Sequence, residues 1–108
     1  LGGGLRGALL DARARLMLMG LLHQHRDISA RAARKALDLT DGNLASHVAK
    51  LEDAGWLSSR RALSPSGFEL RYSITPAGAT AFLEHVAHLR QLIDRWESQH
   101  GNTSAGGP

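Results

Sequence analysis

Apolar residues along the chain change their spacing several times, and each change marks an element. From about Leu5 to His25, Leu10, Ala14, Met17/Leu18 and Leu21/Leu22 recur every three or four positions, which predicts a first helix. Asp27-Ile28 interrupts this pattern as a short extended piece that could pair with a strand elsewhere. Ser29 is a good N-cap for a second helix running to about Leu37, with Ala33 and Leu37 on its inner side. After the tight joint Asp38-Leu39, Thr40 caps a third helix, and Asp41 in its first turn complements the helix dipole. Leu44, Val48 and Leu51 fall at i, i+4 and i+7 and form its buried stripe. Gly55 stops the helix, because a C-terminus often needs a residue that accepts positive φ.

Beyond Trp56 the period drops to two. Phe68, Leu70, Tyr72 and Ile74 alternate with Glu69, Arg71, Ser73 and Thr75, as in a half-buried strand. Leu57 to Leu63 reads as its partner, and Ser64-Pro65-Ser66-Gly67 as the hairpin turn. Thr75-Pro76 opens a last helix, a capping hydroxyl followed by a Pro whose missing N–H costs nothing there. The order helix, extended piece, helix, helix, hairpin, helix predicts a mainly α fold with a small β-hairpin wing, that is, a winged helix-turn-helix. It occupies residues 5–98, with the third helix at about 40–54, the wing at about 57–75 and the last helix at about 76–98. The Gly-rich ends, residues 1–4 and 99–108, are expected to be disordered tails.

Composition narrows the class. A chain of 108 residues, 43% hydrophobic and 21% charged, supports one modest core and one ordinary globular domain. The absence of cysteine removes disulfides, thiolate metal sites and thiol redox chemistry, and fits a reducing cytoplasmic setting. No apolar run approaches the roughly 20 residues of a membrane helix, and no signal-peptide pattern opens the chain, so no membrane partner is expected. Charge is unevenly spread. Residues 1–75 hold 11 Lys and Arg against 7 Asp and Glu, whereas residues 76–108 hold 2 against 3. A basic front suits a polyanion.

Opposite its buried stripe the third helix shows Asn43, Ser46, His47 and Lys50, hydrogen-bonding side chains suited to base edges and phosphates in a major groove. Its opening Thr40-Asp41-Gly42 offers amides to a phosphate. An ordinary solvated helix face would look the same, and these residues alone leave both open. Arg31, Arg34 and Lys35 on the second helix and Arg60, Arg61 and Arg71 on the hairpin are placed to position a phosphate backbone.

Three segments carry a family resemblance. Leu39-Thr-Asp-Gly-Asn-Leu-Ala-Ser-His47, continuing to Leu57, closely resembles the recognition-helix segment of winged-helix regulators of the MarR/ArsR/PadR-like superfamily, and most of all its small stand-alone winged helix DNA-binding domain family. Arg15-Leu-Met-Leu-Met-Gly-Leu-Leu22 is similar to that family's first core helix, and Tyr72-Ser-Ile-Thr-Pro-Ala-Gly78 to its end-of-wing signature. The resemblance runs from about Leu10 to Leu92. It implies a dimeric regulator of double-stranded DNA, commonly a repressor, with Asn43, Ser46, His47 and Lys50 reading the major groove and Arg60, Arg61 and Arg71 as wing cations. The tip, Leu63-Ser-Pro-Ser-Gly-Phe68, departs from the pattern, because many relatives carry Arg or Lys there.

In the last helix Ala79, Phe82, Val86, Leu89, Ile93 and Trp96 follow a 3,4 spacing, a heptad-like seam widened by Leu83 and Leu92. It suits packing on the chain's own first helix and pairing with a second copy. A two-fold homodimer would set two recognition helices about one DNA turn apart and predicts an inverted-repeat operator. The dimer offers room for a small-molecule effector pocket between its first and last helices, lined by residues such as Leu18, Leu22, Phe82 and Leu89.

His85 and His88, at i and i+3 with Glu84 nearby, are weak metal candidates, with His23 and His25 more remote; the fourfold ligand set typical of zinc is not evident, and no cofactor is expected. The alternatives to a DNA regulator are therefore a metal-responsive ArsR-like sensor and a winged helix used for protein contacts. An enzyme is not expected. The chain has no Cys nucleophile, phosphate loop or His-Glu-x-x-His run, and spacing singles out no Ser, His and Asp trio.

Overall fold

The structure, a computed structural model, describes residues 9–10 and 12–101. The tails expected at residues 1–4 and from residue 102 onward, and the start of the first helix expected at Leu5, lie outside the described residues. The elements follow the predicted order: α1 (Arg13–His25), β1 (Asp27–Ser29), α2 (Ala30–Leu37), α3 (Asp41–Asp53), β2 (Leu57–Ser64), β3 (Gly67–Ile74) and α4 (Pro76–Trp96). A π-helical turn, Glu97–Gly101, closes the described chain and takes in residues 99–101, which the sequence assigns to a tail.

Three hydroxyls start three helices, each by accepting one of the amides that the first turn leaves without a partner. Ser29 Oγ accepts from the Ala32 amide at 3.1 Å, Thr40 Oγ1 from Asn43 at 3.1 Å, and Thr75 Oγ1 from Gly78 at 2.9 Å. The joint between α2 and α3 turns through Asp38, whose φ of 53° lies in the left-handed region that a short polar side chain tolerates.

The first helix departs from its prediction. Leu9 and Leu10 are helical, but Ala12 is extended and α1 begins only at Arg13. The Leu9 carbonyl, which a continuous helix would pair with the Arg13 amide, accepts instead from Arg15 Nε at 2.6 Å. Core assignment also shifts: Leu18, Met19 and Leu22 are fully buried, whereas Met17 is exposed. Leu16 to Leu22 is apolar on every side, so spacing alone could not choose between the two methionines.

The piece predicted at Asp27-Ile28 finds its partner in β3, completing an antiparallel sheet of order β1-β3-β2 with Ile28 opposite Tyr72 and Leu57 opposite Ile74. Tyr72 and Leu57 are buried against Leu44, Val48 and Leu51 of α3, Ala33 of α2 and the α1 leucines in one core. Each fully buried leucine there stabilises the fold by about 1.5–3 kcal/mol. The expectation of a half-buried β3 holds only near the body. At the hairpin end Phe68 is 67% exposed, its cross-strand neighbour Leu63 79%, and Leu70 is exposed beside them, because the strands outrun the helices they pack on.

Trp56 fixes the entry into α4. The Thr75 amide donates to the Trp56 carbonyl at 3.1 Å, and Thr75 Oγ1 donates to the carbonyl of Gly55, whose φ is +79°. Gly78 then lies so close that a Cβ there would sit 2.1 Å from the Trp56 oxygen. Gly78, Ala81 and His85 form the buried face of α4, while the Phe82 ring packs over Gly20 and 5.4 Å from the His23 ring. From Arg90 to Gln99 every residue is exposed, so the helix leaves the body and the molecule measures 62 × 32 × 22 Å. Among the described residues no helix is long and apolar enough to cross a membrane.

Candidate nucleic-acid interface

Burial of Leu44, Val48 and Leu51 turns the other side of α3 to solvent. Thr40, Asn43, Ser46 and Lys50 are exposed there, with His47 half-buried at the edge. The Thr40 hydroxyl already holds the Asn43 amide, leaving the earlier amides of the first turn for another acceptor. Asp41 is turned toward α2, where its carboxylate meets Arg34 Nε at 3.1 Å, a solvent-exposed pair of small energetic weight.

The flanking cations divide into two sets. Arg31 and Lys35 are exposed on α2 and, among the described residues, have no ion-pair partner. Arg60 and Arg71 face one another across β2 and β3 and both bind Asp27, Arg60 Nη2 at 2.8 Å and Arg71 through Nε. Ser73 Oγ donates to the same carboxylate, and Glu69 takes a second donor of Arg71. The Arg60 and Arg71 hydrogen bonds hold the Asp27 carboxyl down at about 2, well below its ordinary 3.8. Of the expected wing cations, these two therefore fasten β1 to the hairpin and spend part of their charge inside the fold. The third, Arg61, lies with its guanidinium 5.0 Å from the Phe68 ring centroid.

His47 has a neighbour that sequence spacing does not reveal. Arg15 Nη1 of α1 is 3.3 Å from His47 Nδ1 across 32 positions of chain. Burial, then the charges of Arg15 and Lys50, hold the ring below the ordinary histidine pKa. Asp27 and Arg15 are the two residues that sequence reasoning missed; each is one charge among many, and only the fold brings its partners to it.

The other expected sites fall as follows. Along α4, Phe82 and Leu89 are half-buried, Val86 is exposed, and Ile93 and Trp96 are 57% and 61% exposed. Leu18 and Leu22, expected to line an effector pocket with Phe82 and Leu89, are sealed in the core, and Leu89 borders instead a groove shared with Val86, Arg90 and Ile93. His85 is buried and His88 exposed, so the two do not converge on solvent. Among the described residues no three His, Asp or Glu side chains gather in a way that could hold a metal ion.

Known proteins share this architecture. A family model described as winged helix DNA-binding domain matches residues 14–93. An uncharacterised protein of Methanocaldococcus jannaschii is 26% identical over 84 residues, covering 78% of this chain and 91% of its own. The structure of a transcriptional regulator homologue from Pyrococcus horikoshii superposes with a TM-score of 0.79 and 28% identity, over 83% of this chain and 89% of that one. MepR, a transcription regulator of the Staphylococcus aureus multidrug efflux pump MepA, shares the fold with a TM-score of 0.68 at 16% identity, over 81% and 64% of the two chains. The matched family model is that of a DNA-binding domain, and the 28%-identical structure is that of a transcriptional regulator homologue. This chain belongs to the winged helix DNA-binding domain family.

Proposed function

We propose that the protein is a sequence-specific transcription regulator in the cytoplasm that binds an inverted-repeat operator as a homodimer and represses by occupying it. The observation that carries this reading is the division of α3. Leu44, Val48 and Leu51 lock one side into the core, and Thr40, Asn43, Ser46 and Lys50 stand in solvent on the other. A helix held rigidly by one face presents the other with the precision that base reading requires. Arg31 and Lys35 add cations free to meet phosphates.

Dimerisation rests on α4. Leu92, Ile93 and Trp96 lie exposed along a segment that has left the body, where a second copy would cover them. Pairing there about a two-fold axis would place the two copies of α3 on opposite sides of that axis. A small-molecule effector, on the same reading, would enter between the copies along the groove beside Val86, Leu89 and Ile93.

The test is to select fragments of the source genome on the purified protein, sequence those retained, and titrate the tightest against salt. An inverted repeat is expected, with affinity falling about 0.9 decades per decade of salt for each phosphate contacted. Asn43→Ala with Lys50→Ala should abolish the preference. A reporter driven from the selected site should fall silent when the protein is present. Sequence-indifferent binding, unchanged in the double variant, would reject the reading. The exposed Leu63 and Phe68 of the wing favour the second reading, a winged helix that docks on another protein; absence of any DNA enrichment would point there.

A further inference from the structure

We propose that Arg15 is a positioning residue for the reading helix: its guanidinium holds His47 as the neutral tautomer protonated on Nε2, so that the ring offers DNA a single donor for a base-edge acceptor. The inference rests on the reading of α3 as the DNA-contacting helix and names what one of its residues presents.

Arginine only donates, so the group 3.3 Å from Nη1 must accept. Nδ1 therefore keeps its lone pair, and the ring proton resides on Nε2. The guanidinium does not swing away to release the ring, because its Nε is engaged with the Leu9 carbonyl at 2.6 Å. Among the described residues no group bonds Nε2, and this atom is not enclosed. The charges that act on the ring, Arg15 from α1 and Lys50 one turn along α3, are both positive, and with burial they disfavour the imidazolium.

The chemistry that results is selective. An imidazolium would be drawn to any phosphate, whereas a neutral Nε2–H needs a directed acceptor. Guanine N7 and O6 are the pair of adjacent acceptors on one major-groove edge, and the cytosine amino group is excluded as donor against donor.

Two independent measurements test this on the full chain. Long-range 15N–1H spectra of the free protein at neutral pH should show His47 protonated on Nε2 with a lone-pair Nδ1. In Arg15→Leu the two tautomers should mix and the titration midpoint should move up toward the ordinary histidine value, with Arg15→Lys in between. A protonated Nδ1 in the native protein, or a midpoint unmoved by Arg15→Leu, overturns the proposal without touching the DNA reading. On a selected operator, His47→Gln, which keeps a donor near the Nε2 position, should bind within a few-fold of the native protein. His47→Asn, which moves the amide back to the Nδ1 position, should lose about tenfold or more. Equal affinities for the two variants overturn the donor assignment. Replacing operator guanines by 7-deazaguanine, or by 6-thioguanine, should weaken the native protein at one position per half-site and leave His47→Asn indifferent there; indifference to both analogues in both proteins overturns the assignment to a guanine edge. If the native protein selects no DNA while the spectra show the Nε2–H tautomer, the reading of α3 has failed and the role of Arg15 in setting the ring stands.

Discussion

Gly78 and Gly42 show how differently one substitution acts at two helical positions. Alanine is ordinarily the better helix residue by up to about 1 kcal/mol. At Gly42 nothing lies within 4 Å of the added carbon, so Gly42→Ala should raise stability by a few tenths to about 1 kcal/mol. At Gly78 the carbon would meet the Trp56 carbonyl, a backbone atom that moves only if α4 moves, and Gly78→Ala should cost about 1–3 kcal/mol. Urea denaturation of the two variants checks both signs. Asp27 predicts a pH dependence. Its folded pKa of about 2 lies below the unfolded 3.8, so its stabilisation is complete above the unfolded value and is lost as pH falls through the folded one. Melting temperatures should therefore fall steeply between about pH 4 and pH 2 in the native protein and less in Asp27→Asn. The variant should be the less stable of the two at pH 7 and approach the native protein in acid. A parallel pair of curves would show the carboxylate to be idle.

At the level of elements, the caps and the wing tip make opposite predictions about exposed residues. Thr40→Ala removes the acceptor for the Asn43 amide and should cost about 1 kcal/mol by chemical denaturation. Phe68→Ser removes a far larger side chain that packs on no core and should stay within about 0.5 kcal/mol of native. A loss at Phe68 comparable to a core truncation would mean that something covers the tip in solution. This contrast also marks where the chain could be read unaided. Caps, turns and the α3 stripe depend on residues within a few positions of each other, so Ser29, Thr40, Gly55 and Thr75 announce their helices directly. Which of Met17 and Met19 enters the core, how far the wing overhangs, and the partners of Asp27 and His47 depend on contacts across tens of residues, for which spacing carries no signal. The exposed face of α3 was legible as a set of residues; the Arg15 contact that distinguishes His47 within it was not.

For the whole molecule, the outgoing end of α4 leaves Leu92, Ile93 and Trp96 exposed. If it pairs with a second copy, folding and association are linked, and the melting temperature should rise with protein concentration. Ile93→Glu with Trp96→Glu places charges on the exposed seam without touching the core. That variant should remain helical by circular dichroism, sediment as a monomer, and lose most of its operator affinity. A monomeric native protein with concentration-independent melting would leave α4 to another role. The Asp27 cluster bears on the order in which the chain assembles. Its donors lie 33, 44 and 46 positions away, so the carboxylate finds them only after loops of those lengths have closed. Arg15 and His47 join α1 to α3 over a comparable 32 positions. Native-state hydrogen exchange under mild denaturant should accordingly find β1, β2 and β3 opening together, and separately in Asp27→Asn. One carboxylate would then make three strands, far apart in sequence, into a single cooperative unit.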